Sequence, residues 1–242
     1  MIDIHCHHMP GVDDGSKDLN ETLAMFENAV TSGVTDMILT PHYIKGTKYS
    51  LNNDAKGKIT DILREALKRA DIDLNIHFGN EAYIDDRLPE MIAAGEVSTL
   101  AGSRYILLEL PVAAEDNNAG NIIFRLRSNS ITPIIAHPER YIYFQKHPEK
   151  VMKYIELGCL LQGNYMSLFG KYGRKAKNTL KTLLRNDVIS FLGSDIHHEQ
   201  NEYHLPEAQK AVLKIVKSEK KVQELFIDNP DKVIKNQLIG KD

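Results

Sequence analysis

Histidine and carboxylate side chains recur along this sequence at the points where predicted β-strands end. Imidazole nitrogens and carboxylate oxygens together suit Zn, Mn and Fe ions. A cluster of such ions lowers the pKa of bound water and so supplies a nucleophile at neutral pH. The pattern therefore predicts a polynuclear metal site with hydrolytic chemistry. Its candidate ligands are His5, His7, Asp14, His42, Glu81, Glu109, His137, Asp195 and His197.

Seven apolar runs rich in β-branched residues alternate with segments of 3.6-residue periodicity almost from end to end. Helices between strands imply parallel pairing, in either a closed barrel or an open doubly wound sheet. The candidate ligands follow nearly every strand, whereas an open sheet gathers its ligand in one crevice. The sequence therefore predicts an α/β barrel, with two or three further helices from residue 205 onward. The predicted strands are 2–7, 36–40, 74–79, 105–110, 132–136, 159–164 and 188–193.

Length, composition and charge limit the possible classes of protein. A length of 242 residues fits one barrel, so 1–242 is predicted to be a single domain, and 42% apolar residues suffice for its core. The net charge of −3 argues against a nucleic-acid surface. No positively charged leader, no apolar run of about 20 residues and only two cysteines are present. These features predict a soluble, cytoplasmic protein without membrane insertion or a disulfide framework.

Each candidate ligand taken alone could be a structural residue, but together the candidates indicate one metal site. His5 and His7 alternate on the first strand and therefore share one face, and Asp195 and His197 do the same after the seventh. Glu109 lies in an apolar strand, where an unpaired carboxylate is costly to bury. A buried salt bridge or plain structural histidines would explain any one of them. Several strands that deliver such residues at one end favour a metal cluster.

The same motifs, in the same order, resemble the polymerase and histidinol phosphatase (PHP) family. The likeness is closest to its bacterial protein-tyrosine phosphatases from capsule and exopolysaccharide clusters, and it spans the whole chain. The motifs are His5-x-His7, Gly11-Val-Asp-Asp-Gly15, Thr40-Pro-His42, Gly79-Asn-Glu81, Leu108-Glu109, Ala136-His-Pro-Glu-Arg140, Ser194-Asp-x-His197 and Leu225-Phe-Ile-Asp-Asn-Pro230.

The resemblance implies a distorted (β/α)7 TIM-like barrel, the PHP fold, with three divalent metal ions at its mouth. Manganese is the expected ion, with iron and zinc as alternatives. The implied ligand sets are His5, His7, Glu81 and Asp195 for one ion, Glu81, Glu109 and His137 for a second, and Asp14, His42 and His197 for the third.

Beside the ions, the resemblance and the position after a strand end point to Arg140 as a clamp for phosphate oxygens, a role that its planar fork suits. The alternative is an ordinary salt bridge between Arg140 and Glu139. Lys45 is a second candidate for phosphate binding. His42, His197 or a water molecule is expected to deliver a proton to the leaving group.

Two features of the sequence narrow the mechanism. A cysteine-dependent phosphatase needs an arginine six positions after its cysteine, but Val12 and Tyr165 stand six positions after Cys6 and Cys159. Related metal-dependent phosphatases can carry an arginine soon after the D-x-H motif, and 199–206 contains none. The sequence therefore predicts metal dependence and leaves a second phosphate clamp unidentified.

Several functional hypotheses follow. The first is a metal-dependent phosphotyrosine phosphatase that acts on the tyrosine-rich tail of a polysaccharide-assembly tyrosine kinase, a substrate that the resemblance alone implies. The alternatives are a small-molecule phosphatase, such as a histidinol-phosphate phosphatase, and a binding module without turnover. An exonuclease is disfavoured because the chain has no strong positive charge.

Overall fold

The computed structural model describes residues 1–200 and 202–240, and within these ranges β-strands and α-helices alternate. The prediction of one domain over 1–242 includes residues 201, 241 and 242, which lie outside the described part. The strands are β1 Ile2–Cys6, β2 Asp36–Leu39, β3 His42–Tyr43, β4 Asn75–Phe78, β5 Glu81–Tyr83, β6 Tyr105–Glu109, β7 Thr132–Ala136, β8 Leu160–Asn164 and β9 Phe191–Gly193. The helices are α1 Leu19–Thr31, α2 Asn53–Arg69, α3 Leu88–Ala93, α4 Ala119–Ser128, α5 Ile142–Lys146, α6 Val151–Glu156, α7 Gly173–Arg185, α8 Leu205–Val216, α9 Glu219–Gln223 and α10 Asn229–Ile234.

All strand pairs are parallel, in one sheet of order β1-β2-β4 and another of order β3-β5-β6-β7-β8-β9. The predicted α/β fold with parallel strands is confirmed. Each predicted run contains a strand, and β3 and β5 are short continuations that the sequence did not reveal. β3 follows β2 after Thr40 and Pro41, and β5 follows β4 after Gly79 and Asn80. The chain therefore supplies seven strand positions.

The two sheets meet through β1 and the segment after β9. The backbone N–H of Asp195 donates to the carbonyl oxygen of His5 at 2.9 Å, and that of His7 donates to Ile196 at 3.0 Å. With these bonds the strand positions follow one another around a ring. β1 is also irregular, because Asp3 pairs with Met37 and Cys6 with Leu39, which leaves one extra residue in β1.

The interior of the ring is apolar and its amino end is covered. Inward-facing side chains such as Ile4, Ile134 and Phe191 are fully buried and form one cluster with Val233 of α10. Tyr105, the first residue of β6, donates its hydroxyl hydrogen to the carbonyl oxygen of Gln237 at 2.7 Å. The predicted C-terminal helices are present as α8 to α10, and the last of them lies at the amino ends of the strands. The polar residues are therefore left to the carboxyl ends.

Among the described helices, none combines the length and the apolar character needed to cross a bilayer.

Candidate metal centre

Two imidazoles of the first strand position meet two carboxylates from distant strands in a buried group of four. His5 Nε2 lies 3.2 Å from Glu81 Oε2 and 3.3 Å from Asp195 Oδ1. His7 Nε2 lies 3.3 and 3.4 Å from the same oxygens, and the two imidazole nitrogens are 3.3 Å apart. Donors held about 2.0–2.1 Å from one tetrahedral ion are separated by about 3.3–3.4 Å. The group therefore has the spacing of one coordination shell.

The carboxylate oxygens in this group have no hydrogen-bond partner within the described structure. Glu81 Oε2 and Asp195 Oδ1 are buried and accept nothing, whereas Glu81 Oε1 lies 2.7 Å from His137 Nε2. A buried carboxylate oxygen without a partner is costly, and a cation removes that cost. The residues present therefore fit a divalent metal ion.

Glu81 is the centre around which further donors gather. His42 Nδ1 lies 3.3 Å from Glu81 Oε2 and 3.7 Å from Glu109 Oε2. His137 Nε2 lies 4.0 Å from Glu109 Oε1. The pairing of β3 with β5, which sets His42 opposite Glu81, produces this arrangement.

The outer edge of the cluster is formed by Asp14, His42 and His197. Asp14 Oδ1 lies 3.6 Å from His42 Nε2 and 3.7 Å from His197 Nε2, and the side chain of Asp14 is 54% exposed. The His197 ring stacks on that of His7 with centroids 3.9 Å apart. This edge is therefore the part of the site nearest to solvent.

The structure brings all nine predicted ligands together, but groups them somewhat differently from the implied sets. The imidazole of His42 lies between two groups, because Nδ1 faces Glu81 and Glu109 while Nε2 faces Asp14. His42 therefore belongs to two of the three groups of neighbouring donor atoms. The donor groups are His5, His7, Glu81 and Asp195; His42, Glu81 and Glu109; and His7, Asp14, His42 and His197. His137, which the implied second set includes, belongs to none of these groups and instead lies 2.7 Å from Glu81 Oε1.

In the protein alone, protons partly take the place of cations in this cluster. Burial lowers the pKa of His5, but Glu81 and Asp195 outweigh it and raise the pKa to about 9. Burial and the neighbouring Glu81 raise the pKa of Glu109 to about 8. Burial and the charge of His7 lower the pKa of His197 to about 4. Burial likewise lowers the pKa of His7, but Asp13 outweighs it and raises the pKa well above its usual value. A metal ion must therefore compete with protons on His5, His7 and Glu109.

Two of the ligand candidates have a left-handed backbone. His137, directly after β7, has φ 32° and ψ 58°, and Asp195, shortly after β9, has φ 53°. Such a conformation is unfavourable for a residue with a β-carbon. Hydrogen bonds from the Arg140 N–H to the His137 carbonyl and from the Asp195 N–H to the His5 carbonyl stabilise these turns. At these two positions the strained backbone lies where a strand delivers a polar side chain to the cluster.

Asp13 orients His7, a role that the sequence did not suggest. Its Oδ2 lies 2.6 Å from His7 Nδ1 and accepts the backbone N–H of His42 at 2.9 Å. This bond fixes which nitrogen of His7 faces the cluster. Gly15 lets the loop lie against the first strand, since a β-carbon there would be 2.0 Å from the carbonyl oxygen of His7. The only signal in the sequence was the position of Asp13 beside Asp14.

Two amides of β8 also hold ligand candidates in place. Gln162 Oε1 lies 2.8 Å from His5 Nδ1, and the Asn164 side-chain amide donates to Asp195 Oδ2 at 2.6 Å. Gln162 also donates to the side-chain oxygen of Asn164 at 2.9 Å. Polar residues two apart at the end of an apolar strand were the signal that could have identified them.

Lys56 supports the turn that carries Glu81. Its side chain is fully buried, and its ammonium group donates to the side-chain oxygen of Asn80, the residue before Glu81. Asn80 in turn donates to the carbonyl oxygen of Pro41 at 2.9 Å and accepts the N–H of Ser98. One buried amine is therefore linked to the break between β4 and β5.

Arg140 lies beside the cluster and contacts Asp195 rather than Glu139. Its Nη1 donates to Asp195 Oδ2 at 2.8 Å, and its guanidinium carbon lies 4.7 Å from the ring centroid of Tyr172. The Tyr172 hydroxyl donates to the same Asp195 oxygen at 3.1 Å. Glu139 instead accepts a hydrogen bond from the Ser167 hydroxyl at 2.7 Å. The alternative of an Arg140–Glu139 salt bridge is therefore not found.

Lys45 and the cysteines lie apart from this arrangement. The Lys45 amine is 3.9 Å from Asp85, and within the described residues no ion pair joins it to the cluster. Cys6 and Cys159 are buried free thiols. Burial raises the pKa of Cys159 to about 12 and that of Cys6 above its usual value. Neither thiol therefore has the exposed thiolate character of a catalytic nucleophile.

A ring of parallel strands with histidines and carboxylates gathered at its carboxyl ends is typical of metal-dependent hydrolases built on barrel folds. The family model for capsular polysaccharide synthesis proteins CpsB/CapC matches residues 1–235. The chain belongs to this family.

Two relatives and one solved structure give the degree of likeness. Tyrosine-protein phosphatase YwqE of Bacillus subtilis (strain 168) is 30% identical over 240 residues, which cover 99% of this chain and 93% of YwqE. Tyrosine-protein phosphatase CpsB of Streptococcus pneumoniae is 32% identical over 245 residues, which cover 99% of this chain and 100% of CpsB. One solved structure comes from work on YwqE and CpsB, which are described there as unique metal-dependent tyrosine phosphatases. It matches this chain with a TM-score of 0.93 at 30% identity, and the match covers 100% of this chain and 97% of the chain in that structure.

Proposed function

We propose that this protein is a metal-dependent tyrosine-protein phosphatase of capsular or exopolysaccharide synthesis. The family description and the activity named for the relatives YwqE and CpsB support the substrate class and the setting. The observation that carries the metal dependence is the buried four-donor group, in which each imidazole nitrogen lies 3.2–3.4 Å from both carboxylate oxygens. The cysteines support the same conclusion because both are buried, and burial raises the pKa of each thiol.

The nine clustered residues are the proposed ligands of divalent ions, with three ions as the expected number and manganese as the expected metal. Such ions lower the pKa of bound water and stabilise negative charge on phosphoryl oxygens. Glu81, which faces four imidazoles, is the proposed shared ligand. The residues that orient these ligands through hydrogen bonds, without being proposed ligands themselves, are Asp13, Gln162 and Asn164.

Arg140 is the proposed phosphate-binding residue. Asp195 and the Tyr172 ring fix its guanidinium group at the edge of the cluster, and its side chain is 30% exposed. A guanidinium group held in this way can bind phosphate oxygens with its remaining N–H groups. Lys45 remains a predicted contributor, from a position beside Asp85.

The leaving group places few demands on the protein. A phenol has a pKa of about 10, well below that of an alkyl alcohol, so tyrosine leaves with little help from a proton donor. His42 remains the predicted donor, although both of its nitrogens face carboxylates and make it a ligand first. The proposed physiological substrate is the phosphotyrosine-bearing tail of a polysaccharide-assembly tyrosine kinase.

Comparing kcat/KM on a phosphotyrosine peptide and on histidinol phosphate tests the proposal. Each assay is run on the protein as purified, after exhaustive EDTA treatment, and after manganese is restored. We expect a strong preference for the peptide, loss of activity with EDTA and recovery with manganese. Preference for histidinol phosphate would replace the proposed substrate class by a small molecule, and bound metal without turnover would indicate a binding module.

A further inference from the structure

The segment from residue 157 to residue 186 is basic in a chain whose net charge is −3. No aspartate or glutamate occurs between Glu156 and Asp187. We call its basic residues the basic strip. They are Lys171, Arg174, Lys175, Lys177, Lys181 and Arg185.

The basic strip begins at the candidate metal centre. Tyr172 donates its hydroxyl hydrogen to Asp195 Oδ2 at 3.1 Å and has the guanidinium group of Arg140 over its ring. The Lys171 amine lies 5.5 Å from the centroid of the same ring. α7 starts at the next residue, Gly173. A substrate bound at Arg140 therefore has the basic strip beside it.

α7 directs the basic strip away from the core. Its buried residues include Ala176, Leu180 and Leu184, which pack beneath the helix. Residues 174, 177, 181 and 185 recur at intervals of three and four and so line one edge of the helix. At about 1.5 Å per residue this edge is about 16 Å long, which matches roughly five residues of an extended peptide at about 3.3 Å each.

Within the described part of the chain, the five residues of the basic strip that lie on α7 have no internal counter-charge. Some lysines elsewhere are paired with carboxylates, as Lys150 with Glu115 and Lys221 with Asp187. The helix dipole does not account for Arg174 and Lys175 either, because cations in a first turn oppose the dipole and this turn has no acidic residue. Of the strip, only Arg185 lies in the last turn, where the dipole favours a cation. Within the described ranges, no ion pair with a carboxylate is made by Arg174, Lys175, Lys177, Lys181 or Arg185.

We propose that the basic strip binds acidic residues that flank the phosphotyrosine in a protein substrate. This inference rests on the proposed phosphatase function. The rest of the chain is net acidic and repels such a segment, so the complementary charge guides it to α7. A small phosphate ester is too short to reach from Arg140 along the helix.

The test uses a pair of phosphotyrosine peptides of the same length, one flanked by glutamates and one by glutamines, together with p-nitrophenyl phosphate. The strip variant is Arg174→Gln/Lys181→Gln. The matched control is Lys58→Gln/Arg69→Gln, which removes the same charges from exposed positions on α2. All proteins are assayed as manganese-loaded full chains.

In the wild type we expect the acidic peptide to have the higher kcat/KM at low ionic strength. The kcat/KM of the strip variant on this peptide should fall about fivefold, since two exposed ion pairs are lost and each contributes modestly. The kcat/KM of the variant should change less than twofold on the neutral peptide and on p-nitrophenyl phosphate. In 1 M salt the wild type should no longer prefer the acidic peptide, because the Debye length falls to about 3 Å.

Equal rates on the two peptides, or an equal loss in the control, would overturn the docking proposal while leaving the phosphatase proposal intact. Absence of turnover on both peptides would refute the proposed function and the docking surface with it. Strip-dependent binding to phosphatidylglycerol vesicles, combined with no effect of the peptide flanks, would assign the surface to a membrane and reject the peptide.

Discussion

Replacing Lys56 with methionine perturbs the buried support of the turn before Glu81. Methionine keeps an unbranched side chain of similar length and removes the amine that donates to Asn80. Burial lowers the pKa of Lys56 from 10.5 to about 7. The variant therefore isolates the free energy of keeping this group in the interior.

The direction of the effect follows from which state holds the proton. Between pH 7 and pH 10.5 the unfolded chain keeps Lys56 protonated, while the folded protein has released that proton. The contribution of this group to the free energy of unfolding therefore rises with pH. Its full shift is worth about 5 kcal/mol at about 1.36 kcal/mol per pH unit. From pH 7 to pH 10 about 3–4 kcal/mol of it develops.

The assay is urea unfolding of the wild type and Lys56→Met at several pH values from 7 to 10, in EDTA to keep metal binding out of the equilibrium. We expect the free-energy difference, wild type minus variant, to increase by about 3–4 kcal/mol across this range. Lys58→Met, which changes an exposed lysine on the same helix, serves as the control and should follow the wild type. Parallel pH profiles for wild type and Lys56→Met would refute the reasoning.

Three further outcomes are expected. EDTA abolishes hydrolysis of p-nitrophenyl phosphate while iodoacetamide leaves it unchanged, since both thiols are buried; activity that survives EDTA contradicts the metal centre. Arg140→Ala lowers kcat/KM on a phosphotyrosine peptide by about ten- to hundredfold, since charge-assisted hydrogen bonds contribute about 1.5–3 kcal/mol, whereas Lys45→Ala changes it less than threefold; equal losses contradict the assignment. Manganese affinity rises with pH above 7, because three protonated ligands must release protons. They are His5 and Glu109, with pKa values of about 9 and about 8, and His7, where burial lowers the pKa but Asp13 outweighs it and raises the pKa well above its usual value. Calorimetry in two buffers at pH 7 should detect about three released protons, and no release contradicts this competition.

The strand positions and the cluster were predictable because both leave periodic marks in the sequence. β-branched apolar runs predict strands, and a histidine or carboxylate directly after such a run predicts a polar mouth. β3 and β5 were not predicted, since two or three residues are too few to show alternation. The breaks before them, at Pro41 and Gly79, are nonetheless what set His42 opposite Glu81.

The residues that orient the cluster were harder to predict. Asp13, Gln162 and Asn164 have ordinary side chains, and only their distances to His5, His7 and Asp195 reveal a role. The contact of Arg140 with Asp195 was also not predicted. The sequence offered only Glu139 as an alternative partner, and Glu139 accepts a hydrogen bond from Ser167 instead. Such contacts depend on how distant strands approach, which no local pattern encodes.

The hydrogen bonds between β1 and residues 195–196 have a consequence for the growing polypeptide. His5 and His7 leave the ribosome well before Asp195, which follows His5 by 190 residues. The four-donor group thus exists only once these remote parts have joined, a slow step for contacts of such long sequence separation. Since ions that bind only the folded form stabilise it, capture of the proposed metal ions would be coupled to this last step of folding.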